Sequence, residues 1–257
     1  MNHGQVFLTA EWRWLAMFNW PAPDDLLRQY LPRGLELDRW QGQPYVSIVG
    51  FMFRDTRLRG WAIPGHRTFA ELNLRFYVRQ PDEPESRGVC FVREVVALPA
   101  VTWVARAAYN ENYVTCPMRF RHSCTGQQLA DGDHVEYSWK RAGRWNKVSA
   151  RTANAPRIPA PESAEEYFTE NYWGYTAQRD GTTKQYRVEH PPWLIWPTTE
   201  VTWDCDVAAM YGEEWQDVLR GAPESANLIE GSAINVYTGR RLEMAHPSVT
   251  RQSVAAS

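Results

Sequence analysis

The sequence is poor in lysine. Of its 28 basic residues only Lys140, Lys147 and Lys184 are Lys, the rest being Arg. Any chemistry that needs a neutral amine therefore has three candidates. Cysteine is scarce too: Cys90, Cys116, Cys124 and Cys205 match no zinc ligand set and no Cys-x-x-Cys pair. The N-terminal "MNHGQVFLTAEW" has no basic segment leading into an apolar run, so reduced thiols and a cytoplasmic protein are expected. No stretch approaches the roughly 18 apolar residues of a membrane span. Net charge is only −2, which removes the electrostatic case for nucleic acid or an anionic membrane as a partner. There is no Gly-rich phosphate loop, no His-Glu-x-x-His and no Gly-x-Ser-x-Gly. The histidines His3, His66, His122, His134, His190 and His246 are scattered, none at helical spacing from another ligand. No metal and no cofactor are expected.

What is present is ordinary globular material with many aromatics. Hydrophobic residues make up 44% and charged residues 23% of 257 residues, which suits one large domain spanning 1–257. Thirteen tryptophans suit a large core or an aromatic-walled pocket, and burial statistics favour the core.

Most of the chain reads as strands. "FLTAEWRWLAMFNW" (7–20) is extended, with Trp12, Trp14, Phe18 and Trp20 on one parity. "QPYVSIVGFMF" (43–53) is apolar on nearly both faces and should be a central, covered strand. "GVCFVREVVAL" (88–98) is rich in β-branched residues. Its adjacent Arg93 and Glu94 must face opposite ways, so at least one of them can point into an interior cavity, while an edge position would explain both more simply. Hairpins are expected around Gly143 and Asp180-Gly181. "SAINVYTGRRLE" reads as a last strand, and the tail from about 244 to 257 as disordered. Short helices are expected in "PAPDDLLRQYLP", after the capping-box pair Ser163 and Glu166, and in "DVAAMYGEEWQDVLRG". "VTWVARAAYNENY" fits a short helix or an extended run, and "HPPWLIWPTTEVTW" reads as a proline-broken linker. The class is α+β, mostly antiparallel β: one curled sheet or barrel with a few short helices outside it.

"FAELNLRFYV" (69–78) carries the functional question. Ala70, Leu72, Leu74, Phe76 and Val78 alternate with Glu71, Asn73, Arg75 and Tyr77. The Glu-Asn-Arg face either looks at bulk water, as a weak ion-pair strip, or lines a polar cavity. "RGVCFVREVVALPAVTWVARAAYNENYVTCPM", "VEYSWKR" and "HPPWLIWP" follow it in order. Together with the N-terminal "FLTAEWRWLAMFNW" these segments resemble the YqjF-like family of uncharacterised proteins, over about residues 7 to 242. That family is similar in fold to acetoacetate decarboxylase, a closed, barrel-like sheet around a small polar cavity. The resemblance implies that the Glu-Asn-Arg face points inward, and that a homo-oligomer is to be expected.

Decarboxylases of that superfamily use a strand glutamate and a Schiff-base lysine that follows a Gly-x-Pro segment. Glu71 falls on the glutamate. In "YNENYVTCPMRF" (109–120), Met118 and Arg119 follow Pro117 where the lysines would be, and neither forms an imine. The resemblance therefore implies a pocket without Schiff-base chemistry. Glu71 is the acid–base candidate, with Asn73 and Arg75 beside it to hold a small carboxylate- or carbonyl-bearing molecule. Tyr109, Tyr113, Cys116, Met118 and Arg119 are expected on the opposite wall. The reaction would be lyase- or hydratase-like, on a small oxo-acid. The rival readings are a binding or sensing protein without turnover and a structural relic of the fold.

Overall fold

The computed structural model describes residues 4–243 apart from Asp82. Its elements, in chain order, are β1 (Val6–Pro21), α1 (Asp24–Arg28), β2 (Glu36–Leu37), β3 (Tyr45–Leu58), β4 (Phe69–Gln80), β5 (Glu83–Val96) and α2 (Pro99–Tyr109). Then come β6 (Tyr113–Thr115), β7 (Met118–His122), β8 (His134–Arg141), β9 (Arg144–Thr152), α3 (Ala164–Thr169), β10 (Trp173–Ala177) and β11 (Thr183–Glu189). The chain closes with β12 (Ile195–Asp204), α4 (Val207–Tyr211), a 3-10 turn at Glu213–Trp215, β13 (Ser225–Tyr237) and β14 (Arg240–Arg241). The expected disorder of 244–257 lies outside the described residues.

Seven strands run β11-β10-β5-β4-β3-β1-β13, and β11 then pairs with β13. The sheet therefore closes as a ring. It is not a uniform barrel: the closing seam is two residue pairs, Val188 with Val236 and Glu189 with Asn235. Strand order continues from β13 through β12, β9 and β8 to β7, forming a second layer. Pairing is antiparallel except where β5 meets β10 and β6.

Two apolar cores follow from the alternation of the strands. Leu72, Leu74 and Phe76 on β4 and Val46 and Ile48 on β3 pack outward, against Val135, Tyr137 and Trp139 of β8. Leu15, Met17, Val49, Phe51, Ile229 and Ile234 face the inside of the ring. β3 is central and covered on both faces, as its sequence predicts.

β1 changes face part-way along. Trp14 takes a left-handed conformation (φ 55°), and the register with β3 slips between Arg13 and Ala16. Trp12 therefore packs inside the ring while Trp14, Phe18 and Trp20 pack outside. The single parity expected for these tryptophans is broken by a β-bulge. Opposite it, Gly231 (φ +76°) sits so close that a Cβ would lie 2.0 Å from the Trp12 carbonyl oxygen.

Several local expectations need correction. The proline-broken "linker" is strand β12, docked through Ile195–Pro197 on β13 and Thr198–Asp204 on β9. β5 is interior, paired with β4 on one side and with β6 and β10 on the other, so no edge explains Arg93 and Glu94. The last long strand begins at Ser225, earlier than read. The undecided segment after Pro99 is helix α2, started by Pro at its first turn. At α3, Ser163 accepts from the Glu166 N–H at 3.2 Å, half of the expected capping box. The Glu166 carboxylate accepts instead from the Glu162 N–H at 2.6 Å. Among the described residues no helix is long and apolar enough to cross a membrane.

Candidate functional site

The inside of the ring holds a cavity of about 260 Å³. Most of its wall is apolar, with Phe51, Phe53, Phe69 and Phe91 among the lining side chains, and α2 covers part of it through Val101, Val104 and Ala105. Glu71, Asn73 and Arg75 of β4 all line it. The polar face of that strand thus points inward, and Glu71 and Asn73 are each only 3% exposed.

Glu71 is held by Tyr113, whose hydroxyl donates to Oε2 at 3.0 Å. Tyr113 stands on the short β6, placed beside Glu94 by the parallel pairing with β5. Arg106 of α2 fixes that strand by donating from Nε to the Tyr113 carbonyl at 2.8 Å. Glu94 is the cross-strand partner of Asn73, is 2% exposed, and lines the same cavity. Its neighbour Arg93 faces the other way and donates to the Met210 carbonyl. A third carboxyl, Glu111, comes from the loop after α2 and accepts from the Tyr186 hydroxyl at 2.7 Å. Gly174 makes room for that tyrosine, since a Cβ there would lie 2.2 Å from the Tyr186 ring.

Burial dominates the electrostatics of this end. Loss of solvent pushes the Glu71 carboxyl up to about 8, partly offset by the Tyr113 hydrogen bond. Glu111 is pushed up to about 7 by the same cause, with Tyr186 and Lys184 opposing. Burial also holds Glu94 well above the carboxylate range, and the charges of Glu111 and Glu71 add to it. Tyr113 is raised by burial and by these carboxylates. The result is a cluster in which Glu71 and Glu94 are held mainly neutral near pH 7 while Glu111 titrates there, so the group can give or take protons.

The other polar part of the wall centres on Arg75. Its guanidinium donates to the Phe168 carbonyl at 2.9 Å, while its buried Nε has no partner. Asn171 and His190 line the cavity as well. His190 stacks on Trp193 with centroids 3.9 Å apart, and burial lowers it to about 4, so it is neutral. Among the described lining residues Arg75 is the one Arg, and there is no Lys.

The residues expected on the opposite wall separate. Tyr113 lines the cavity beside Glu71. The side chain of Tyr109 lies outside what the structure describes. Cys116, Met118 and Arg119 do not line the cavity: after Thr115 the chain leaves the ring for β7 in the second layer. Cys116 is buried in the outer core, Met118 packs against that core, and Arg119 lies over the Trp145 ring at 4.0 Å. Sequence reasoning did not single out Glu111, Tyr186, Asn171 or His190. Glu94 carries a signal, a charged residue inside an apolar strand, that fits either an edge position or a place in a cavity. Among the described residues no three His, Cys, Asp or Glu side chains are grouped to hold a metal ion.

Comparison with known proteins gives this geometry a context. The family DUF2071, described as an uncharacterized conserved protein, matches residues 9–232. The uncharacterized protein YqjF of Bacillus subtilis (strain 168) is 32% identical over 200 residues, which cover 75% of this chain and 76% of that protein. Among solved structures, the enduracididine biosynthesis enzyme MppR complexed with pyruvate superposes with a TM-score of 0.65 at 13% identity, covering 95% of this chain and 92% of its own. Acetoacetate decarboxylase from Legionella pneumophila subsp. pneumophila str. Philadelphia 1 gives a TM-score of 0.63 at 12% identity, covering 95% and 90%. The chain thus has the acetoacetate decarboxylase-like fold and belongs to the DUF2071 family of uncharacterised conserved proteins.

Proposed function

We propose that the ring cavity binds a small carboxylate- or carbonyl-bearing molecule through Arg75 and Asn73, and that Glu71 performs acid–base chemistry on it without a Schiff base. The carrying observation is the inward Glu71-Asn73-Arg75 face: one guanidinium with an unpartnered buried Nε, an amide, and a carboxyl raised to about 8, on alternate positions of one strand. Alternate strand positions are spaced by roughly 6.6 Å, which suits a ligand of a few carbons. Arg75 can pair with a carboxylate, and Asn73 can hydrogen-bond a carbonyl or hydroxyl.

Glu71, protonated near pH 7, is the acid for a carbonyl oxygen. Glu111, with the lower value of about 7, is the more readily ionised partner and can accept a proton. Such a pair serves enolisation, hydration or dehydration. The pyruvate held by MppR, a protein of the same fold, makes a small oxo-acid a reasonable first class to try. A lysine imine is disfavoured because no lysine is among the described lining residues.

The test is a thermal-shift screen of wild type and Arg75→Ala against small oxo-, hydroxy- and unsaturated acids. A ligand at a hundred times its dissociation constant should stabilise the fold by about 2.7 kcal/mol. A shift in wild type that is lost in Arg75→Ala is the expected result. No shift from any acid, or equal shifts in both proteins, would refute the reading. For a hit, Glu71→Gln should keep affinity and lose turnover by about 10²-fold or more if the protein is an enzyme. A non-catalytic binder would show no turnover in either form.

A further inference from the structure

The acid end of the cavity has a hydrogen-bond imbalance that an anionic ligand at Arg75 leaves untouched. Three carboxyls converge there from different segments: Glu71 on β4, Glu94 on β5 and Glu111 from the loop before β6. The two tyrosine hydroxyls beside them are already engaged, Tyr113 with Glu71 and Tyr186 with Glu111. Two buried oxygens in this group have no donor, Asn73 Oδ1 and Glu94 Oε2. They belong to cross-strand partners that line the cavity and are each at least 97% buried. Buried acceptors are normally satisfied, so an orphan pair of this kind marks a place where a donor is missing. Phe51, Phe69 and Phe91 line the cavity too, and aromatic faces favour a cation.

We propose that this end of the cavity is a subsite for a nitrogen cation, a primary ammonium or an amidinium, carried on an apolar or aromatic ligand. The cation donates to Glu94 Oε2 and Asn73 Oδ1, and its charge offsets that of the carboxylates. Such a group is donor-only, matching the acceptors left over. Binding a cation favours ionised carboxyls, so a proton must leave the cluster when the ligand enters near neutral pH. The groups that set this titration are Glu71, Glu94, Glu111, Tyr113 and Tyr186, with Lys184 acting on Glu111 by its charge. Arg75 and the neutral His190 also face the cavity.

The inference does not require a carboxylate at Arg75, and its experiment uses ligands that carry none. The full chain is titrated calorimetrically with benzylamine and with benzamidine, each in two buffers of different ionisation enthalpy, and with benzyl alcohol as the uncharged control. At least one of the two cations is expected to bind about tenfold or more tightly than the alcohol, releasing up to about one proton near pH 7 and tightening from about pH 6 to about pH 8.5. Glu94→Gln should weaken that cation by about tenfold or more and leave the alcohol unchanged. Glu111→Gln serves the same purpose should Glu94→Gln fail to fold, and the proton count in wild type needs no variant. Absence of binding by both cations, alcohol binding equal to theirs, or binding without proton release would each overturn the proposal. The last outcome would mean that a proton on Glu94, shared with Asn73, already satisfies both oxygens.

Discussion

Glu71, Asn73 and Arg75 show what single residues can and cannot declare. Their shared parity was legible, because alternate residues of a strand share a face. The direction of that face was not, because a strand with one apolar side fits water or a cavity on the other. Resemblance, and then the ring, resolved it. Glu111 lies in a loop, where no periodicity points anywhere. Cys116, Met118 and Arg119 are elsewhere because, three to six residues past Tyr113, the chain has already crossed to the other layer. The acid cluster carries a stability prediction. Glu71, Glu94 and Glu111 all have folded values above those of an unfolded chain. In that interval the folded state holds more protons, so stability is full below about pH 4.5 with respect to these groups and falls as pH rises. The unfolding free energy of the ligand-free protein, from denaturant titration, should therefore decline from about pH 5 to about pH 8, by at most about 1.4 kcal/mol per pH unit for each group. Glu71→Gln should flatten the slope. A slope unchanged in Glu71→Gln would remove Glu71 from the titrating set.

At the level of elements, strands whose pattern was continuous were read well, β3 and β4 above all. Errors cluster where a backbone device interrupts the pattern. The bulge at Trp14 shifts every later residue of β1 to the other face, and no side-chain period announces it. Prolines mask β12, yet Pro197 forms the end pair of the β12–β13 ladder, opposite Asn227. Arg157 also holds the start of β12, donating its N–H to the Ile195 carbonyl at 2.9 Å. The bulge gives an element-scale prediction. Gly231→Ala places a Cβ against the Trp12 carbonyl at a positive φ, and both costs act on the strand pair that carries Trp12 and Leu15 into the cavity wall. The expected loss is about 2 kcal/mol or more by urea titration, with weakened binding of any cavity ligand. A loss within about 0.5 kcal/mol would show that the β1–β13 contact yields easily.

Across the whole molecule, the ring assigns a separate task to each side of its sheet. The outer face makes a continuous core with the second layer, built on Tyr137, Trp139 and the apolar face of β4. The inner face leaves space, and into that space the sequence sends Glu71, Glu94, Glu111 and Arg75. The mostly antiparallel class and the short helices were legible in the order of strands, turns and caps. Closure was not, because the β11–β13 seam joins strands far apart in the chain through two residue pairs. Every role given to this cavity depends on the polar face of β4 being enclosed and dry enough to hold a neutral glutamic acid. The most direct measurement is a carboxyl titration by NMR on protein labelled with ¹³C-glutamate, with Glu71 assigned by its loss in Glu71→Gln. A midpoint near 8 is expected for Glu71 in the ligand-free protein. A midpoint near the ordinary glutamate value of about 4.3 would contradict it, and would return Glu71 to solvent.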